Sequence, residues 1–108
     1  MAAEYCVGLI TTGSREEAER IAEALVHRRL AACVTLVPEV ASVYWWEGRV
    51  VRDREALLLV KTSRAKWPAL MAAVREWHSY QVPEIIALPI VEGSASYLQW
   101  LEQSLAES

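Results

Sequence analysis

Residues 31 to 62 read AACVTLVPEVASVYWWEGRVVRDREALLLVKT, and the reading of this stretch decides the fold. From Ala31 to Val37 it is apolar. After Pro38 it alternates, with Ser42, Tyr44 and Trp46 pointing one way and Val43, Trp45 and Glu47 the other. Gly48 supplies a turn, and the chain returns as a strand whose second half, Ala56 to Val60, is continuously apolar. The pattern predicts one long β-hairpin, and the proline inside its first arm predicts a bulge or bend there.

Toward the N-terminus, EYCVGLITT (residues 4–12) is a short apolar run bounded by Gly13, too short for a helix and suited to a buried strand. Ser14 stands three residues before Glu17, the capping-box spacing, and Ala18, Ile21, Ala22, Leu25 and Val26 follow the helical period to an end near Arg28. Toward the C-terminus, Pro68 suits the first turn of a second helix carrying Leu70, Met71, Val74, Trp77 and His78 on one face. Pro83 disfavours helical geometry at Val82, so that helix stops before it and EIIALPIV (84–91) forms a fourth strand. Pro89 lacks an N–H and puts this strand at a sheet edge, which invites pairing with another chain. Gly93 and Ser94 introduce a last helix with Tyr97, Leu98, Leu101 and Leu105 inward. The order βαββαβ plus a C-terminal helix predicts an α+β, ferredoxin-like sandwich, a single domain over residues 1–108.

Composition narrows the function. Eleven Lys and Arg against 14 Asp and Glu give a net charge of -3, which argues against a nucleic-acid backbone binder. The 54% content of apolar and aromatic residues is high for so short a chain and implies surface hidden in an oligomer. No basic leader with a long apolar run opens the sequence and no stretch approaches 18 apolar residues, so a soluble, cytoplasmic protein with no membrane contact is expected. Cys6 and Cys33 are then expected as free thiols. No Walker sequence, Cys-x-x-Cys pair or ordered Ser/His/Asp set is present, and a binding protein is expected in place of an enzyme.

Five motifs in order, RRLAACVTLVP, Ser42-x-Tyr44-x-Trp46-x-Gly48, Glu55-x-x-Leu58-x-x-Lys61-Thr62, His78-x-Tyr80-x-Val82-Pro83-Glu84 and Tyr97-Leu98-x-Trp100, resemble the CutA divalent-cation-tolerance family over nearly the whole chain. The resemblance implies a homotrimer similar in shape to the PII signalling proteins, with copper or another divalent cation bound and no established reaction. The sequence departs from the family's pattern where some members carry a cysteine (here Ile10) and a second histidine (here Trp77). Ser79 replaces the proline of an HPY motif, and Thr35 a common asparagine.

Three residues are candidate metal ligands. His78 ends a helix with Tyr80 and Glu84 close by in sequence, and imidazole with carboxylate is a plausible partial coordination set. The alternative is a histidine whose ring bonds helix-terminal carbonyls. Cys33 is either a soft ligand or a small buried hydrophobe, and Glu84 a ligand, a general base or the partner of an Arg or Lys61 across a subunit boundary. With few soft donors, weak Cu(II) binding is expected. His27 reads as a solvated helix residue, and the aromatics Tyr44, Trp45, Trp46, Trp67, Trp77 and Trp100 read as interface residues in preference to a ligand cage. The second functional expectation is a PII-like signalling module that holds a small anionic metabolite between subunits through Arg15, Lys61 or backbone N–H groups.

Overall fold

A computed structural model describes residues 4–106. The elements run β1 (Tyr5–Thr12), α1 (Arg15–His27), β2 (Cys33–Trp46), β3 (Arg49–Ser63), α2 (Trp67–Trp77), β4 (Ile85–Pro89) and α3 (Ala95–Leu105). The four strands form one sheet in the order β2-β3-β1-β4, with every neighbouring pair antiparallel. Strands β1 and β2 are therefore parallel with β3 inserted between them, and β3 and β4 parallel with β1 between. That is the split βαβ arrangement the element order implies.

The hairpin is the longest feature of the fold. Its two-residue turn has positive φ at both Glu47 (50°) and Gly48 (77°), as a type I′ turn requires. The register shifts between Val37 and Val40, so the bend at Pro38 is a bulge inside one continuous strand. Beyond it the arms run out past the core, leaving Trp45 74% and Trp46 47% exposed. Strand β4 is shorter than the sequence pattern suggests, 85–89, and it is an edge strand as Pro89 predicts.

Helices α1 and α2 cover one face. Ile10, Ile21, Leu25, Leu58, Val60, Leu70 and Val74 meet there with essentially no exposure, each such burial contributing about 1.5–3 kcal/mol. Helix α3 packs Leu101 and Leu105 against Ala32 and Tyr5. Tyr5 alternates away from Ile10, so α3 lies on the opposite face, at one end of the sheet. Only that end is covered, which is why Tyr97, expected inward, remains 41% exposed. Leu9 pairs with Leu59 and Ile86, and Val7 with Leu88, leaving an apolar sheet face uncovered in a single chain. Two tryptophans belong to the chain's own packing. Trp67 lies over Gly8, and Trp77 packs on the core with the Arg28 guanidinium 4.9 Å from its ring centre.

Candidate functional site

The turn after β1 sets up the site. Ser14 is extended (φ -148°), caps α1 by accepting from the Glu17 N–H at 3.1 Å, and its carbonyl accepts from the Thr12 hydroxyl at 2.7 Å. Only this half of the capping box forms. The Glu17 side chain turns away and takes both donors of Ser79, the backbone N–H at 2.8 Å and the hydroxyl at 2.9 Å. Burial pushes the Glu17 carboxyl up, but the two bonds from Ser79, together with the nearby His78 and Arg20, outweigh it and hold the group below its usual range.

His78 caps α2 in an extended conformation, with its N–H bonded to the Val74 carbonyl. Its Nε2 lies 2.7 Å from the Thr11 carbonyl oxygen, and its Nδ1 accepts the Tyr80 N–H at 3.0 Å. These partners assign the Nε2–H tautomer and occupy both ring nitrogens. The imidazole is buried, and a ligand role would cost it one of these bonds. Tyr80 stacks at a tilt on this ring and passes its own hydroxyl proton toward Glu55 Oε2 at 2.8 Å. Burial, then the bond to Glu55, raises the Tyr80 phenol.

These contacts wall a cleft of about 600 Å³ between the loop after α2 and the outer half of the hairpin. Tyr44 and Trp46 line it from β2, Asp53 and Glu55 from β3, and Tyr80 and Glu84 from the loop. Tyr44 donates to Asp53, and this bond pushes its phenol up to about 12. Three carboxylates border the cleft and no Lys, Arg or His does, so every charged group on its lining is acidic.

The three candidate ligands fare differently. Glu84 is exposed at the cleft rim, while His78 stands behind Tyr80 with its ring committed. Cys33 lies opposite Lys61, six residues along β3 from Glu55 and thus about 20 Å away, beside Tyr97. Both cysteines are free. Among the described residues no group of three or more His, Cys, Asp and Glu is close enough to hold a metal ion. The cations of the anion-binding expectation lie elsewhere. Arg15 pairs with Glu19 at 2.9 Å, and the Lys61 ammonium donates to the Thr35 hydroxyl at 2.6 Å. Sequence reasoning missed Asp53 and the role of Glu17. Period-2 alternation did place Ser42, Tyr44 and Trp46 on one face, and adding Asp53 needed only the hairpin register. Among the described residues no helix is long and apolar enough to cross a membrane.

Comparison with known proteins agrees with the fold. A family model described as "CutA1 divalent ion tolerance protein" matches residues 6–104. The Divalent-cation tolerance protein CutA of Thermus thermophilus is 54% identical over 98 residues, covering 91% of this chain and 95% of that one. Rice Protein CutA 1, named as chloroplastic, is 46% identical over 99 residues, 92% of this chain, which spans only 56% of the rice protein. The solved structure of the Thermus protein superposes with a TM-score of 0.90 at 53% identity, covering 93% and 97% of the two chains. With its own β2-β3-β1-β4 sheet and three helices on the same plan, the chain belongs to the CutA1 divalent ion tolerance protein family.

Proposed function

We propose that the protein is a non-catalytic, cytoplasmic homotrimer that binds divalent cations, Cu(II) among them, with a dissociation constant on the order of micromolar. The observation that carries this reading is the cleft bordered by Asp53, Glu55 and Glu84 with no cationic side chain among its lining residues. Carboxylate oxygens suit hard divalent cations, and copper outranks the others on nitrogen and oxygen donors generally. The same lining disfavours a small anionic metabolite, the PII-like alternative, in this cleft. The names of the relatives, divalent-cation tolerance proteins, point the same way.

Assembly supplies what one chain lacks. The uncovered face with Ile86 and Leu88, the free edge of β4 and the exposed Trp45 and Trp46 are the kind of surface that symmetric association buries. Of the candidate ligands, Glu84 is the one at the cleft. Cys33 and His78 join a metal only if a second copy brings Cys33 near or the His78 ring gives up a hydrogen bond.

Isothermal titration of the assembled protein with Cu(II) tests the reading. Glu84→Gln and Asp53→Asn should each weaken binding roughly tenfold, as loss of a charged oxygen ligand or its neighbour does. Equal affinity in wild type and both variants would refute the cleft as the site, and a thermal shift with nucleotides but none with metals would favour the anion reading.

A further inference from the structure

One face of the sheet carries opposite charges at its two ends. Along β3 the side chains on the face left uncovered are, two residues apart, Asp53, Glu55, Leu57, Leu59 and Lys61. The apolar middle continues across the sheet, because Val7 stands between Lys61 and Leu88, and Leu9 between Leu59 and Ile86. The same alternation, carried one step before β4, puts Glu84 on this face at its acidic end. Arg49 shares the face but lies at the exposed hairpin tip, where a guanidinium at the rim of an interface stays hydrated.

Lys61 and Glu84 have no ionic partner in one chain. The Lys61 ammonium donates to the Thr35 hydroxyl at 2.6 Å and to the Leu59 carbonyl at 3.3 Å, and among the described residues neither it nor Glu84 lies within ion-pair distance of an opposite charge. Asp53 and Glu55 differ from Glu84 in this respect, since the hydroxyls of Tyr44 and Tyr80 already donate to them. Nor can the two ends of the face meet within a chain. Ile85, next to Glu84, is level with Leu58 through Ile10, and Lys61 stands three residues further along β3 and two strands across, about 10 Å in each direction.

Any partner that covers Leu9, Leu59, Ile86 and Leu88 also covers the half-buried Lys61, and an ammonium taken out of water needs a counter-charge as well as hydrogen bonds. A second copy of the same face offers one in Glu84, the exposed carboxylate of the acidic end. A face that is positive at one end and negative at the other is complementary to itself when one copy is set against the next, and each contact of a closed ring then makes one such pair. We propose that Lys61 of one copy pairs with Glu84 of the next, so that in the assembled protein a neighbour's ammonium stands at the rim of each acidic cleft. This rests on the reading of the protein as a homotrimer and not on a metal in the cleft. A divalent cation at Glu84 has to compete with this ammonium.

Light scattering on a dilution series of wild type, Lys61→Glu, Glu84→Lys and the double reversal tests the pairing. EDTA keeps metal out, and urea at one fixed concentration below unfolding loosens the assembly without screening charge. Far-UV circular dichroism checks folding. Glu84 is exposed, so a single chain tolerates Glu84→Lys, and that variant decides the case alone if Lys61→Glu does not fold. Each single reversal sets like charges against each other and should raise the concentration of half-dissociation on the order of hundredfold, while the double reversal should return it to within about tenfold of wild type. Single reversals that leave the assembly unchanged, or a double reversal no better than the singles, overturn the pairing and leave the homotrimer standing. A wild-type mass of 12.2 kDa throughout overturns the homotrimer reading and this inference with it.

Discussion

The Tyr80 hydroxyl donates to Glu55 Oε2 at 2.8 Å, joining the loop after α2 to the middle of β3 across 25 residues of sequence. Glu55 is only 8% exposed, so its carboxylate depends on this partner. Tyr80→Phe keeps the ring and its contact with His78 but leaves a buried charged oxygen without its donor. The variant should lose about 1–3 kcal/mol of stability, read by urea denaturation of the two proteins at neutral pH. An unchanged midpoint would mean that water replaces the phenol.

The two tyrosines of the cleft should titrate late. Tyr44 ionises at about 12 because its proton lies on the bond to Asp53, and Tyr80 is raised by burial and by Glu55. Both folded values exceed the unfolded phenol value of about 10. The stability they contribute is therefore complete below pH ~10 and is lost as pH rises from there through their folded values. Ultraviolet titration of the phenolates checks this, and Asp53→Asn should return Tyr44 toward the ordinary value.

Gly8 is set by Trp67. A Cβ at position 8 would come within 2.6 Å of the Trp67 ring, and that ring is packed against the core. Gly8→Ala should cost about 1–3 kcal/mol by overpacking. Adding Trp67→Leu to Gly8→Ala should cost less than the two changes summed, because the clash disappears; strict additivity would show that the ring moves aside freely.

Light scattering coupled to size exclusion should give three times the 12.2 kDa chain mass at micromolar concentration. Trp46→Ala, which removes an anchor at 47% exposure near the hairpin tip, should weaken the assembly by ~2 kcal/mol. A 12.2 kDa species for the wild type would remove the trimer from the proposed function.

Much of the fold is written in local patterns. The Glu47–Gly48 turn, the bulge around Pro38, the Ser14 cap and the edge position of Pro89 all follow from backbone preferences of single residues and their immediate neighbours. Alternation and helical period then fix which side chains face the core, and the element order leaves one simple way to pair the strands. The five motifs carried the family, which the comparisons confirm. The cleft was half legible. Tyr44 and Trp46 emerged from alternation, Glu84 from its place after Pro83 and Glu55 only as the first residue of a motif, but Asp53 did not stand out among 14 acidic residues.

What only the tertiary structure decided is the partner of each polar side chain. The capping-box spacing gives Glu17 a local role, yet its oxygens go to Ser79, because the βαβ crossover brings the start of α1 beside the end of α2. Sequence spacing sets His78 among Tyr80 and Glu84 as a candidate ligand, yet its ring nitrogens are taken by the Thr11 carbonyl and the Tyr80 N–H. A spacing rule describes neighbours within a turn of chain. Hydrogen bonds across 62 or 67 residues depend on where the sheet places two segments, and the short reach of such bonds lets a shift of an ångström or two choose a different partner.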